Sequence, residues 1–125
     1  MTTFTSAGNL LDALAVRDFD RLREAFASDV QGRALLPPGP REWQGRDALS
    51  GAFEGWFGSA TSFELLDAVV GEVGGRVHLR WRFRVERDGA PFVIEQQVYA
   101  DCDADGRVAR LDLLCSGFRP EPQSG

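Results

Sequence analysis

The sequence has few of the residues from which metal and nucleophilic sites are built. It holds one histidine, His78, two cysteines, Cys102 and Cys115, and no lysine. One histidine and two separated cysteines do not give the spacing of a zinc site, so no metal is expected. A nucleophilic Cys115 would need a base, and His78 is predicted to face the opposite side of the sheet. We therefore expect Cys115 to be a structural buried thiol, and no cofactor is indicated.

Long apolar runs and a basic surface are also missing. No stretch of about 18 apolar residues occurs, so no membrane partner is expected, and the first residues lack the charged and apolar regions of a secretory signal. The formal net charge of -5 disfavours a nucleic-acid partner. Cys102 and Cys115 are predicted to lie roughly 20 Å apart along the sheet, too far for a disulfide. Two free thiols fit a reducing compartment, and we expect a cytoplasmic protein.

Three glycine-containing turns organise the second half of the chain. Asp88-Gly89 and Asp105-Gly106 are typical of two-residue β-hairpin turns, and Gly74-Gly75 provides a third turn. These turns predict four long antiparallel strands, the first over residues 62–73 and the others within residues 74–120.

The turns also predict the strand register, and a shift by one residue would reverse every side chain. Trp81 is predicted opposite Gln96, and Gln96 opposite Cys115, on the face that the helices cover. The other inner pairs are predicted to be Val85–Phe92, Phe83–Ile94, Leu79–Val98, Val77–Ala100, Ala100–Leu111, Val98–Leu113, Cys102–Ala109, Val70–Leu79, Ala68–Trp81 and Leu66–Phe83. The outer face is predicted to set Arg82 between Asp67 and Glu95, as an across-strand charge ladder.

The first half of the chain has apolar residues at helical spacing. Residues 6–16 are predicted to form a helix with Ser6 as its N-cap. A second helix follows Asp18, with an apolar stripe that runs to Phe26, and a third helix covers residues 47–57.

Between the second and third helices, residues 29–36 are predicted to form a short strand. It is predicted to end at the proline-rich loop 37–40, because proline cannot continue a strand ladder. The order of elements predicts an α+β fold in which three N-terminal helices pack on one face of a curved, mainly antiparallel sheet. We expect one domain over residues 1–125, with a disordered tail at 120–125.

Four segments share an order and spacing that point to a known family. They are Asp18-Phe19-Asp20 through Phe26, Trp43-Gln44-Gly45-Arg46-Asp47-Ala48-Leu49 with Phe53, Asp105-Gly106-Arg107-Val108, and Cys115-Ser116-Gly117-Phe118-Arg119-Pro120. Together they resemble the SnoaL-like family of the nuclear transport factor 2-like superfamily, over about residues 6–119. The resemblance implies a cone-shaped fold with a deep pocket and usually a homodimer through the outer sheet face. Members include polyketide cyclases, ketosteroid isomerases and epoxide hydrolases.

The catalytic residues of these relatives do not carry over to this sequence. The resemblance matches the ketosteroid isomerase positions to Leu10, Leu36 and Val98, and the epoxide hydrolase acid to Leu113. All four residues are aliphatic. No Asp or Glu is predicted at the centre of the inner face, where the acid/base of SnoaL lies. A pocket without a carboxylate, histidine or tyrosine cannot readily perform general acid/base chemistry at carbon.

Two candidates for a polar role remain on the predicted inner face. Gln96 either orients a ligand carbonyl or hydroxyl, with Trp81 as an aromatic wall, or is a buried amide bonded to backbone or water, with Trp81 as core. Glu64 and Glu72 share the predicted inner phase but lie roughly 26 Å apart along the strand. They cannot form an acid/base pair, although Glu64 alone is a candidate base at one end.

We expect a mostly apolar pocket that binds a small hydrophobic, polyketide- or terpenoid-like molecule. The residues predicted to line it are Leu36, Trp43, Phe53, Trp56, Trp81, Gln96, Val98, Leu113 and Cys115. The sequence does not decide whether the protein is an enzyme. If it catalyses a reaction, the expected class is an isomerisation or cyclisation driven by shape and exclusion of water, with Gln96 polarising an oxygen. The alternatives are a non-catalytic dimeric scaffold, and a hydrolase or dehydratase that uses Glu64.

The outer sheet face is expected to carry more apolar surface than a monomer usually exposes. Its predicted apolar residues are Phe63, Leu65, Val69, Val93, Tyr99 and Leu114. A two-fold homodimer would cover this face. The residues expected at the interface are Asp67, Arg80, Arg82, Glu95, Tyr99 and Leu114.

Overall fold

Helices dominate the first half of the chain and long strands the second, as the spacing and turn patterns predicted. The structure, a computed structural model, describes residues 3–121 and the side chains of residues 8–121. The first elements are α1 (Thr3–Ala15), α2 (Phe19–Ala25), β1 (Phe26–Leu36), β2 (Gly39–Gln44) and α3 (Arg46–Phe57). The remaining elements are β3 (Ser62–Val73), β4 (Arg76–Arg87), β5 (Ala90–Cys102), β6 (Val108–Cys115) and β7 (Arg119–Pro120).

The helix boundaries agree with the sequence at α2 and differ at α1. The backbone N–H of Arg21 donates to the Asp18 carboxylate at 3.1 Å, so Asp18 is the N-cap of α2 as predicted. Ser6 is not an N-cap, because α1 already begins at Thr3. Phe26 does not extend the α2 stripe either. It is the first residue of β1, where it pairs with Val108 and remains fully buried.

The first strand ends at Leu36 as predicted, but it begins at Phe26 rather than at Asp29, and Gly39 and Pro40 belong to a further strand instead of a loop. The chain turns at Pro37 and Pro38 and returns as β2, antiparallel to β1, with Pro40 opposite Leu35. Proline is tolerated here because β2 is an edge strand, whose outward N–H groups have no ladder partner to lose. On its other side β1 pairs with β6 in parallel.

The described residues form one curved sheet in the order β2-β1-β6-β5-β4-β3, with β7 paired to β5. The register between β4 and β5 is the predicted one at every position, from Val77↔Ala100 to Val85↔Phe92. Between β5 and β6 the pairs Gln96↔Cys115, Val98↔Leu113 and Ala100↔Leu111 are also confirmed. Because Arg80 and Arg82 lie outside and Trp81 is fully buried, the predicted inner and outer faces are correct for these strands.

Two β-bulges account for the register errors. Leu66 is an extra residue in β3, so Phe83 faces Leu65 instead of the predicted Leu66. The turn around Gly106 is longer than predicted: the Asp103 N–H donates to the Arg107 carbonyl at 2.8 Å, which leaves three residues in the loop. Cys102 consequently pairs with Val108 and not with Ala109.

The core lies between the sheet and the three helices that the structure describes. Its largest fully buried side chains include Trp81, Phe26, Phe53, Phe57 and Phe83. Each buried aromatic of this size contributes about 1.5–3 kcal/mol of transfer free energy, so these rings are a large part of the stability of the fold. No helix among the described residues has the length and apolar character needed to span a bilayer.

The C-terminal segment is ordered further than predicted. Pro120 pairs with Phe92 in β7, and the Glu121 carboxylate accepts a hydrogen bond from Arg84 at 2.6 Å. The predicted disordered tail therefore does not include residues 120 and 121. Its remaining part, residues 122–125, lies outside the described residues.

Candidate functional site

An apolar cleft opens at the edge of the fold where the parallel strands β1 and β6 both end. We call it the end cleft. Its volume is about 420 Å³. Its walls come from the end of β1 and the following turn, α3, β5, and the loop after β6. The lining residues are Leu36, Pro37, Pro38, Trp56, Ile94, Cys115, Ser116, Gly117 and Phe118.

The loop at Ser116 and Gly117 is held in place by hydrogen bonds and by close packing. The Ser116 N–H donates to the Glu95 carbonyl at 2.9 Å, and the Glu95 N–H donates to Ser116 Oγ at 2.9 Å. Gly117 has a φ of 78°, and a Cβ at this position would lie 2.8 Å from Pro37 Cγ. Only glycine meets both conditions, so the loop can close against the β1–β2 turn.

A hydrogen-bonded chain of three side chains leads from the cleft into the core. Trp81 Nε1–H donates to Gln96 Oε1 at 2.8 Å, and Gln96 Nε2–H donates to Cys115 Sγ at 3.4 Å. The Gly117 N–H donates to the same sulfur at 3.3 Å. Trp81 and Gln96 are fully buried, whereas Cys115 is half-buried and reaches the cleft. The predicted cluster is therefore confirmed, and the partners of the Gln96 amide are the side chains of Trp81 and Cys115, whereas one of the two predicted alternatives had it bonded to backbone or water.

The residues predicted to line the pocket separate into three groups. Leu36, Trp56 and Cys115 lie in the walls of the end cleft. Trp43 packs edge-on against Trp56 with 5.7 Å between ring centroids, one residue away from the cleft. The others do not line this cleft and are buried in the core: Phe53, Trp81, Gln96, Val98 and Leu113.

Sequence reasoning missed six of the nine lining residues, and Ile94 and Phe118 are the two large apolar side chains among the six. Ile94 shares the inner face of β5 with Gln96, so the register could have placed it beside the cleft. Phe118 had no such signal, because its position depends on the loop at Gly117 and on β7. Its ring lies 6.2 Å from that of Phe57 and 6.4 Å from that of Phe92.

The end cleft has little acid/base chemistry of its own. Its lining contains no Asp, Glu, His or Tyr, and its ionisable or hydroxyl groups are those of Cys115 and Ser116. Within residues 3–121 no three His, Cys, Asp or Glu side chains come together as a metal-binding group. The geometry suits the binding of an apolar molecule more than proton transfer.

The prediction that Glu64 points into the inner face is wrong. Because Leu66 is bulged out of β3, Glu64 pairs with Arg84 on the outer face, and their side chains are 3.3 Å apart. The same bulge places Phe63 on the inner face instead of the outer face. It was predicted outside, but it stacks on Phe83 with 4.2 Å between ring centroids. Glu64 is therefore remote from the end cleft.

Ion pairs cover much of the outer sheet face. Arg80 lies between Asp67, at 2.9 Å, and Glu95, at 3.2 Å, and Arg82 contacts Glu95 at 3.0 Å. The predicted ion pair of Arg82 with Glu95 is confirmed, but the partner of Asp67 is Arg80 and not the predicted Arg82. His78 stacks on Tyr99 with 4.8 Å between ring centroids. The buried His78 Nε2 has no hydrogen-bond partner in the described part of the chain.

Asp112 and Cys102 are among the ionisable groups of the sheet whose pKa values are displaced. Burial by itself raises the pKa of Asp112, but hydrogen bonds from Arg33 and Arg76 outweigh it and hold that pKa below its usual range. At the far end of β5, burial raises the pKa of the Cys102 thiol, and the neighbouring carboxylates of Asp103 and Asp101 add to the shift.

A second cleft, which we call the outer cleft, lies on the outer face across β1, β2 and β6. Its volume is about 780 Å³. Its lining residues are Arg33, Ala34, Leu35, Pro40, Arg41, Glu42, Tyr99, Asp112, Leu113 and Leu114. Tyr99 and Leu114, both expected at a homodimer interface, line this cleft.

The sequence of residues 7–111 matches the model of the SnoaL-like domain. The chain belongs to this family. The resemblance inferred from the four sequence segments is thereby confirmed. No curated protein matches this SnoaL-like chain in sequence.

Solved structures share the α+β cone of this SnoaL-like protein. A polyketide cyclase-like protein of Xanthomonas campestris has 18% sequence identity and a TM-score of 0.71, over 90% of this chain and 88% of the other. A phenazine biosynthesis-related protein of Pseudomonas aeruginosa has 15% identity and a TM-score of 0.68, over 98% and 92%. An epoxide hydrolase of M. tuberculosis has 17% identity and a TM-score of 0.68, over 91% and 82%. At these identities the likeness establishes the fold.

Proposed function

We propose that this SnoaL-like protein binds a small hydrophobic molecule, of polyketide- or terpenoid-like character, in the end cleft. The observation that supports this is the combination of a volume of about 420 Å³ with an almost wholly apolar lining. Such volumes fall within the roughly 300–1,000 Å³ of small-molecule sites, which are mainly apolar with few polar groups. Three similar structures carry names that refer to small-molecule chemistry, which agrees with this proposal.

A reaction at this site would be an isomerisation or cyclisation promoted by shape and exclusion of water. The lining offers no carboxylate, imidazole or phenol to move a proton. Gln96 was expected to polarise a ligand oxygen directly, but its amide lies behind Cys115 with both polar atoms engaged. We therefore assign Gln96 to the support of the cleft wall, and binding is the primary function that we propose.

Two neighbouring leucines test the site. Leu36 lines the end cleft, whereas the adjacent Leu35 is exposed on the outer side and does not line it. Titration with the neutral fluorescent probe N-phenyl-1-naphthylamine should show saturable binding to the wild type. Leu36→Gln should weaken this binding at least about tenfold, because a buried leucine contact is worth roughly 1.5–3 kcal/mol. Leu35→Gln should leave the affinity unchanged. Equal effects of the two substitutions would remove the end cleft as the binding site.

We further propose that two copies associate through the outer sheet face, through Asp67, Arg80, Arg82, Glu95, Tyr99 and Leu114. Leu114 supports this, because its side chain is 48% exposed beside Tyr99 in the outer cleft. Light scattering after gel filtration should give the mass of a dimer for the wild type and of a monomer for Leu114→Glu. Val73→Glu, a similarly exposed position at the end of β3, is the control and should remain dimeric. A monomeric wild type would end this proposal.

The proposed dimer is also the basis of the alternative function, that of a non-catalytic scaffold. That function requires association of the two copies and no ligand in the end cleft. A dimeric wild type that shows no saturable probe binding would favour the scaffold over the binding protein.

A further inference from the structure

Large, fully buried side chains stand directly behind two walls of the end cleft. Behind Cys115 lies Gln96, whose Nε2 is 3.4 Å from the cysteine sulfur. Behind Trp56 lies Phe53, with 5.1 Å between the ring centroids. Neither Gln96 nor Phe53 lines the cleft, and both have no exposed surface.

Trp81 joins these two residues from the core side. Its Nε1–H donates to Gln96 Oε1 at 2.8 Å, and its ring centroid is 6.4 Å from that of Phe53. Gln96 therefore lies between Trp81 and the wall residue Cys115, and Phe53 lies between Trp81 and the wall residue Trp56. Truncation of Gln96 or Phe53 would leave a void next to Trp81, into which the wall residue in front of it, Cys115 or Trp56, could retreat and so deepen the cleft.

The choice of glutamine at this depth is informative. A buried amide without partners is costly, and an aliphatic side chain could fill the same volume without that cost. Here Oε1 accepts from Trp81 and Nε2 donates to Cys115, so the amide has one defined orientation. The side chain therefore cannot swing away to admit a longer ligand without breaking two buried hydrogen bonds.

We propose that Phe53 and Gln96, the floor pair, set the depth of the end cleft and so restrict this protein to compact hydrophobic ligands. This inference rests on the proposed function. The cleft accepts a ligand that fits its volume of about 420 Å³. A ligand with a longer chain must leave one end of that chain in water. The floor pair acts by exclusion, through side chains that the ligand does not displace.

A homologous series of straight-chain 1-alkanols tests this, with affinities measured by displacement of N-phenyl-1-naphthylamine. The hydroxyl favours water, so each added methylene extends toward the floor. Each methylene that enters the cleft should tighten binding about fourfold. In the wild type this gain in affinity per methylene should cease at the chain length whose end reaches the wall in front of the floor pair. In Phe53→Ala the next longer alkanol should bind about fourfold tighter than it does to the wild type.

Four further variants complete the test. Phe53→Leu shortens the same side chain more mildly and keeps the test valid if Phe53→Ala does not fold. Phe26→Ala and Phe26→Leu remove equal volume from an equally buried ring that stacks on Phe53 and does not line the cleft. Both Phe26 variants should keep the chain-length limit of the wild type. Gln96→Ala should shift it as the Phe53 variants do.

The outcomes separate the inference from the function on which it rests. If the wild type binds neither probe nor alkanol, both are wrong. If it binds with a length limit that the Phe53 and Gln96 variants share, the floor pair does not set the depth, and the proposed function stands. The same follows if the wild-type affinity rises along the whole series without a limit.

Discussion

Gly117 and Pro37 are in such close contact that a Cβ on the glycine would lie 2.8 Å from the proline Cγ. This contact closes the loop after β6 against the turn between β1 and β2, and both residues line the end cleft. The geometry of the cleft therefore depends on a residue without a side chain.

Gly117→Ala should destabilise the protein and weaken binding in the end cleft. Overpacking typically costs about 1–3 kcal/mol, and the positive φ adds roughly 1 kcal/mol. Gly89 is the matched control, because its φ of 79° is nearly the same and a Cβ added there would have nothing within 4 Å. Urea denaturation should show a larger loss for Gly117→Ala than for Gly89→Ala, and probe affinity should fall only for the former. Equal losses would show that the Pro37 contact does not matter.

The hydrogen bond between Trp81 and Gln96 should appear as a coupling energy. Gln96→Leu leaves the Trp81 N–H without its partner, which costs about 1–3 kcal/mol for a buried donor. Trp81→Phe leaves the amide oxygen of Gln96 in the same condition. The double variant removes both groups, so it should be less destabilised than the sum of the two single variants. Additive free energies of unfolding would show that the bond contributes little, and Gln97→Leu on the outer face serves as a control.

Arg17 should act as a clamp between the helical half and the sheet. Its guanidinium donates to the carbonyls of Phe57 at 3.1 Å and Ala60 at 2.8 Å, and it lies 5.2 Å from the ring centroid of Phe63. Both bonds come from Nη1, and lysine lacks the planar guanidinium that lies over the Phe63 ring, so Arg17→Lys should lower the free energy of unfolding by about 1–2 kcal/mol. Arg110→Lys, at an exposed position of β6, should have almost no effect. Thermal and urea denaturation of the two variants would measure the difference.

Asp112 should contribute stability that depends on pH. Hydrogen bonds from Arg33 and Arg76 lower its pKa in the folded protein, so folding favours the ionised carboxylate. This contribution is fully present above the pKa of an unfolded aspartate, about 3.9. It is lost as the pH falls through the lower pKa of the folded state. The stability difference between wild type and Asp112→Asn should therefore be constant near neutral pH and shrink in acid. A difference that is unchanged down to acid would contradict the assignment, and Asp105→Asn in an exposed turn is the control.

The sheet could be predicted from the sequence because its turns are local signals. Asp88 and Gly89 both have positive φ, at 52° and 79°, as a two-residue hairpin turn of this type requires. Once that turn is known, alternation assigns each residue of β4 and β5 to a face. The pair Trp81↔Gln96 follows directly.

The errors arose where a single residue changes the phase of a strand. The bulge at Leu66 moved Glu64 to the outer face and Phe63 to the inner face. The residues next to Leu66 include no glycine or proline that would have predicted this bulge. The strand β2 was missed for a different reason. Its prolines exclude a central strand, but its place at the sheet edge depends on the whole strand order.

The candidate site was predictable only in part. The register brought Gln96 and Cys115 together, and helical spacing placed Trp56 at the mouth of the fold. The depth of the cleft was not predictable, because it depends on how the rings of Trp56, Phe53 and Trp81 pack in three dimensions. A side chain that lines a cavity and one that lies a single residue layer behind it can both belong to the inner face. The alternation of residues along a strand does not distinguish the two.

The most direct test of ligand binding in the end cleft uses the two cysteines of this chain. Cys115 lies in the cleft wall, whereas Cys102 lies at the far end of β5 and does not line it. Alkylation of each thiol by iodoacetamide can be followed by mass spectrometry, with and without saturating N-phenyl-1-naphthylamine. Bound probe should slow the alkylation of Cys115 and leave the rate of Cys102 unchanged. Probe that binds at saturation yet leaves the Cys115 rate unaltered would contradict the placement of the ligand in this cleft.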